Sequence, residues 1–442
     1  MKAKKQIERL LFQAIQSSIK QRPQMKNLSL LILGLLLFQF CNSQNIKKVD
    51  WDSDIDYLAK ELSEKHYNFF TEKSKDDYYK ALNQVKSNKD NLDDFGIALN
   101  LQQVIASFGD SHTRVNYGEI IDKEQVLPLH LYWFKEGLFV LHTTKENSEI
   151  LGHQILSVNG TSIKTIQDSL STLITVDNQA MVKFLVPKLF PLLQVLNYFG
   201  FVEGQKVELG LKDLEGNTKK YIMKPAMMNR QNRKMFLPNS LPFCFKNERV
   251  FFVDNYQASD NIYYLQYNKC WSKELELKYR NGKNANKLPS FKEFEDKVFE
   301  TLESKPIQKI VFDIRFNGGG SSSQGTYFIE KLARFLDKNP EINLYVVLGR
   351  TTFSSAILNA MDCKRLTKAT FVGEETGGKP NHFGEVKSFR LPNSKLRVNY
   401  SSKYFKRSDE DVKTLAPDYY MEPSFKDYKI GLDPVMEWIK KQ

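Results

Sequence analysis

The sequence predicts an α/β fold, and three observations point to it. Residues 250–442 alternate apolar runs of strand length with amphipathic runs of helix length. Residues 46–116 repeat apolar side chains at three- and four-residue steps. Residues 127–225 show short alternating runs broken by tight-turn residues. Strands that alternate with helices imply parallel pairing and right-handed crossovers. The expected organisation is a helical N-terminal domain (46–116), a β-rich insert (127–225) and an α/β domain (250–442).

Residues 1–43 read as a leader and signal peptide. Leu28 to Cys41, LSLLILGLLLFQFC, is a 14-residue and mostly apolar run. A bilayer span takes about 20 residues. Lys26 precedes the run and small Ser43 follows it. A cation, a short apolar core and a small residue at the cleavage position make a secretory signal. Met25 reads as the true start, and cleavage after Ser43 leaves Gln44 as the new N-terminus. The expectation is an exported protein, periplasmic or extracellular, with no stable membrane span. Lipid anchoring through Cys41 is the alternative, although bulky Phe40 stands where that processing prefers a small residue.

In 46–116, Trp51, Ile55, Leu58 and Leu62 mark one helix, with Asp52 as a candidate cap. Leu92, Phe95, Leu99, Val104 and Phe108 mark another, before Gly109-Asp110-Ser111-His112-Thr113. In 127–225, Leu138–Leu141, Gln154–Val158 and Val207–Leu211 read as strands. Asn159-Gly160 and Glu215-Gly216-Asn217 read as turns, and a helical stretch lies near 179–198. In 250–442, strands are expected at 261–267, 309–314, 344–348 and 369–372. Helices are expected at 291–302, 327–336 and 354–366.

The chain carries 64 Lys and Arg against 52 Asp and Glu, a net +12. Residues 1–43 hold seven of the cations and one Glu, so the remainder is 57 minus 51, or +6. Spread over about 400 residues, that balance does not suggest nucleic acid. Cys244, Cys270 and Cys363 form no Cys-x-x-Cys pair and are read as core residues rather than a zinc ribbon or a redox motif. The six histidines include no His-Glu-x-x-His. His382 and Glu385 have helical spacing, but Gly384 places them in a loop-like stretch, so no metal site is read.

The chemistry-bearing stretches are Phe312-Asp313-Ile314-Arg315-Phe316-Asn317-Gly318-Gly319-Gly320 and Thr352-Phe353-Ser354-Ser355-Ala356. The first is a strand that ends in a glycine-rich turn. It lacks the Gly-Lys-Ser/Thr of a phosphate loop, and Ser323 stands where a dinucleotide fingerprint needs its third glycine. The second places a serine at a strand-to-helix junction. Ser354 as a plain helix cap is the bland alternative. Together the two stretches offer a nucleophile and backbone N–H groups for an oxyanion. Chemistry in such sheets gathers at the carboxyl ends of strands, where both stretches fall. The base is open between Lys379, in Gly377-Gly378-Lys379, and His112.

These residues resemble the C-terminal processing, or tail-specific, serine peptidases and their tricorn-like relatives. Asp313-x-Arg315-x-Asn317-x-Gly319-Gly320 is similar to the family's strand-and-turn motif, and Ser354 falls where its nucleophile stands. Gly373-Glu374-Glu375-Thr376-Gly377-Gly378-Lys379 looks like its lysine segment, 25 residues beyond Ser354. Asp110-Ser111-His112-Thr113 resembles the histidine segment of the tricorn-like branch. Leu151 to Gly160 looks like the family's PDZ-type peptide-binding unit. The lysine branch usually has a polar residue where Phe383 stands, so His112 is the preferred base.

The resemblance implies an exported serine endopeptidase that acts on protein or peptide substrates without a cofactor. Ser354 would attack. N–H groups of Gly319 or Gly320, with that of Ser355, would hold the oxyanion. Asp110 or Asp418 would orient His112. A catalytically degenerate peptide-binding envelope protein is the alternative, in keeping with Ile357 in place of the family's acidic residue. Nothing in the sequence decides the oligomeric state.

Overall fold

The computed structural model describes residues 49–442, so the expected signal segment lies outside the described residues. Three helices come first: α1 (Trp51–Lys65), α2 (Lys75–Asn88) and α3 (Asp94–Ala106). Ile55, Leu58 and Leu62 are buried along one face of α1. Asp52 lies within the first turn of α1 and is not its cap. Ser74 and Asp77 close a capping box on α2, and Asp93 caps α3 through the Gly96 N–H.

An antiparallel sheet follows, in the order β2 (His130–Phe134), β3 (Gly137–Thr144), β4 (Gln154–Val158), β6 (Val207–Lys212), β7 (Thr218–Met223). Before it comes the short strand β1 (Arg114–Val115). β5 (Thr161–Ser162) pairs with β4 across the Asn159-Gly160 turn, where both residues have positive φ (47° and 82°). That geometry is the one a two-residue hairpin loop demands. β8 (Arg233–Met235) adds to β3. The helices α4 (Ile163–Ser171), α5 (Gln179–Leu189) and α6 (Leu193–Tyr198) pack on this sheet through Ile166, Leu170, Val182, Val186, Val195 and Leu196.

The second large sheet orders as β16 (Tyr419–Tyr420), β13 (Thr370–Gly373), β12 (Asn343–Leu348), β11 (Lys309–Asp313), β10 (Ile262–Tyr267), β9 (Phe252–Gln257). All pairs are parallel except β9 with β10. The period of two sorts the side chains. Tyr263, Leu265, Ile310, Phe312 and Val346 face one cluster with α7 (Phe291–Ser304) and α8 (Ser322–Lys338). Ile262, Tyr264, Val311 and Val347 face the other, with Val435 and Ile439. β11 and β12 are neighbours in register, so the turn after one and the loop after the other share an edge.

One region departs from expectation. The stretch with His382 and Glu385 is a strand, β14 (His382–Arg390), paired over its length with β15 (Arg397–Phe405). Gly384 packs against the Phe405 ring there, and Glu385 takes a positive φ of 56°. Such a hairpin with an irregular start lacks the clean alternation that marks a strand in sequence. The cysteines Cys244, Cys270 and Cys363 are free and buried in the core.

Candidate active site

The turn after β11 is held by its own polar residues. Asp313 is fully buried and accepts from Tyr264 Oη, the Arg315 N–H and Arg315 Nε. Burial pushes its carboxyl up against the opposing pull of Arg315. Arg315 also reaches Asp433 at 2.9 Å. Asn317, fully buried, donates to the Tyr267 carbonyl (2.8 Å) and accepts the Gly319 N–H (2.9 Å). The polar residues of this motif therefore build the turn itself.

That turn lies against the loop after β12. The Phe353 N–H donates to the Asn317 carbonyl at 3.0 Å. Thr352, fully buried, donates through Oγ1 to the Ile314 carbonyl and accepts the Gly349 N–H. A Cβ on Gly319 would lie 2.9 Å from the Phe353 carbonyl oxygen and 3.1 Å from the Ser355 nitrogen. Gly319 also has φ +95°, so only glycine fits that approach.

Ser354 is the conformational outlier of the loop. It has φ 53° and ψ −123° immediately before α9 (Ser355–Leu366), and its side chain makes no cap bond. A non-glycine residue in such a region costs about 1–3 kcal/mol. A serine cap would return about 0.5–2 kcal/mol, and none is made. The plain helix-cap reading therefore fails, and the strained junction holds the hydroxyl clear of its own helix. The neighbouring Ser355 hydroxyl is engaged, donating to the Gly320 carbonyl at 2.8 Å.

The three expected oxyanion donors divide. The Gly319 N–H is taken by Asn317. The N–H groups of Gly320 and Ser355 have no hydrogen-bond acceptor among the described residues. At Ser355 the free N–H belongs to the first turn of α9, where the helix dipole favours negative charge.

His112 lies beside this loop, its ring stacked on Phe353 with centroids 4.6 Å apart. It also stacks on His382, with centroids 5.6 Å apart. Both ring nitrogens are buried without a hydrogen-bond partner. Burial is the main cause that pushes the imidazole down to about 4, with Asp110 acting against it and His382 reinforcing it. The ring is therefore neutral at physiological pH and able to accept a proton.

Of the two expected orienting carboxylates, Asp110 is near. Its Oδ1 accepts the His112 backbone N–H at 2.9 Å and lies 3.9 Å from Nδ1. Its Oδ2 serves His66 Nε2 (2.9 Å) and Thr113 Oγ1 (2.5 Å). His66 Nδ1 accepts the Asn68 N–H, so the proton sits on Nε2 and His66 donates to Asp110. Burial raises the Asp110 carboxyl, but the His66 bond and its other partners outweigh that and hold it below the ordinary value. Asp418 does not reach this cluster as a free carboxylate. It is exposed and accepts the Phe371 N–H at 2.8 Å, fastening the edge of β13.

Lys379 is buried, its Nζ 3.9 Å from Asp177 and 4.0 Å from Glu72. Its segment packs on the same loop. The Gly377 N–H donates to the Thr352 carbonyl, and a Cβ on Gly378 would meet the Phe353 ring at 2.9 Å. Asp177 is pushed up to about 6, mainly by burial, with Lys379 opposing. An ion-pair role for Lys379 competes with a role as base.

His66, Asp177, Phe353 and His382 belong to this cluster; His66 and Asp177 were not singled out from sequence, and His382 was weighed there only as a metal ligand. The Asp110-Ser111-His112 stretch could have prompted a search for a second histidine. Asp177, in Thr175-Val176-Asp177-Asn178-Gln179, matches no motif and gives no local signal.

Neither a family model nor a curated protein matches the chain. Solved structures do. The structure of mature CPAF complexed with lactacystin is similar over 88% of this chain and 97% of that one, with 12% identity and a TM-score of 0.60. The crystal structure of mature CPAF matches over 88% and 95%, with 13% identity and a TM-score of 0.57. A photosystem II D1 C-terminal processing protease is more distant, with 14% identity over 86% and 98% and a TM-score of 0.38. The chain has the fold of mature CPAF, in keeping with the α/β class that its sequence predicts.

Proposed function

We propose that this chain is an exported serine endopeptidase, with Ser354 as nucleophile and His112 as base. Ser354 Oγ attacks the scissile carbonyl and its proton passes to His112. The N–H groups of Gly320 and Ser355 hold the oxyanion. His112 then gives the proton to the leaving amine, and water releases the acyl group. The reaction draws only on these groups and needs no cofactor. The observation that carries this reading is the strained, uncapped Ser354 at a strand-to-helix junction, flanked by the unpaired N–H groups of Gly320 in the glycine turn and of Ser355 at the helix start. His112 is favoured over Lys379 because the lysine is placed between two carboxylates. The 127–225 insert is read as a PDZ-like unit that receives substrate.

A second reading has one observation in its favour. Both His112 nitrogens lack a partner, so no Ser354–His112 bond is made in this conformation. A degenerate peptide-binding relative would look the same. Catalytic hydrogen bonds often form only with substrate bound, which keeps the enzyme reading first. Hydrolysis of casein or a peptide pool by the wild-type protein, abolished in Ser354→Ala, is the expected result. No hydrolysis by either, with peptide binding retained, is what the second reading expects.

A further inference from the structure

A cavity of about 450 Å³ opens beside the glycine turn, within the roughly 300–1,000 Å³ range of ligand clefts. Leu173, Met181, Phe184 and Leu185 supply an apolar wall. Gly318 and Phe353, next to the proposed reacting groups, line it as well. Its charged lining is of one sign: Arg114, Lys188 and Arg350, with no aspartate or glutamate among the described residues.

Arg350 is already committed, bonded to Glu374 and Glu422. Arg114 and Lys188 are different. Both are exposed, and neither has a carboxylate partner among the described residues. The Lys188 ammonium lies 3.3 Å from the centroid of the Phe184 ring, so it rests on the cavity wall. Two unpaired cations therefore flank an apolar pocket.

Resting on the peptidase reading, we propose that this cavity is the subsite for a large apolar substrate side chain next to the scissile bond, and that Arg114 and Lys188 select substrates carrying a carboxylate close to that side chain. Burying a leucine- or phenylalanine-sized side chain there favours it over serine by about tenfold or more. Exposed cations around a low-dielectric pocket act mainly on encounter and selection, and they repel a basic neighbour. The carboxylate can come from an acidic side chain or from a nearby peptide C-terminus.

The test uses peptides with Leu or Ser at one central position, flanked by Glu, Gln or Lys, each with a free or an amidated C-terminus. Two quantities are measured: kcat/KM with the wild-type protein, and equilibrium binding to Ser354→Ala. Leu peptides should be preferred over Ser peptides, and Glu-flanked over Lys-flanked peptides, each by about tenfold, with the charge preference falling as salt rises. The double variant Arg114→Glu, Lys188→Glu should reverse the Glu-over-Lys order. Loss of preference on amidation would assign the terminal carboxylate as the anion, and persistence with internal Glu would assign the side chain. Cleavage with equal rates on Glu and Lys peptides would overturn the subsite and leave the peptidase reading standing. Glu-selective binding without any cleavage would support the subsite and remove the peptidase reading. Neither binding nor cleavage would overturn both.

Discussion

His112 lies flat on the ring of Phe353, with centroids 4.6 Å apart and planes 25° from parallel. Phe353 immediately precedes Ser354, so the stack joins the proposed base to the backbone of the proposed nucleophile. The contact spans more than 240 residues of sequence. It brings a loop after α3 against a loop after β12.

Replacing Phe353 should therefore act on the rate through His112. Such a stack is worth about 0.5–1.5 kcal/mol beyond its buried area. Phe353→Leu keeps apolar volume and removes the stacking face. The expected outcome is a fall of about tenfold in kcat with little change in KM and only a small loss of thermal midpoint. An unchanged kcat would mean that the stack does not position the base.

Ser354 should trade stability against activity. Ser354→Gly removes the side chain from a region that only glycine tolerates freely. It should abolish hydrolysis and leave the thermal midpoint unchanged or higher, since up to about 1–3 kcal/mol of strain is relieved. A clear loss of midpoint in Ser354→Gly would show that the hydroxyl supports the fold.

Lys379 and His112 should separate cleanly. Lys379→Arg keeps a cation between Asp177 and Glu72, and an ion-pair role survives it. The expectation is near-normal kcat for Lys379→Arg and a loss of about 10²–10⁴ for His112→Ala. Guanidinium stays protonated and cannot serve as base. The reverse pattern would transfer the base to Lys379.

The pH profile follows from burial. His112 sits at about 4, below its ordinary 6.5, chiefly because it is buried. The acid limb of kcat/KM should therefore fall near 4, not in the range of about 6–7 usual for an exposed imidazole. The same shift has a sign for stability. The unfolded chain takes up the proton first, so the His112 contribution is complete above 6.5 and is lost as pH falls toward 4. Asp177, raised to about 6, acts in the opposite sense, since its folded carboxyl takes the proton first as pH drops. The difference in urea midpoint between wild type and His112→Leu isolates the His112 term. That difference should shrink between pH 7 and pH 4.5.

Much of this was legible in the sequence, for physical reasons. Strands such as Lys309–Asp313 and helices such as Phe291–Ser304 carry strong periodic patterns, and the glycine turn and Ser354 fall at strand ends where sheet geometry brings them together. The β14–β15 hairpin was not legible, because its early part breaks alternation at Gly384 and Glu385. The division of labour within the glycine turn was not legible either. It depends on Asn317, whose side chain reaches the Gly319 N–H only once the turn has closed. Asp110 and Asp418 could not be ranked from sequence, because a carboxylate carries no sign there of which backbone N–H it serves.

Covalent labelling tests the central claim most directly. The protein would be treated with a fluorophosphonate and the adduct mapped by mass spectrometry, in wild type and in His112→Ala. A single adduct on Ser354, formed much more slowly in His112→Ala, is the predicted result. No adduct on Ser354 in a folded wild-type protein, or an adduct elsewhere, would contradict it.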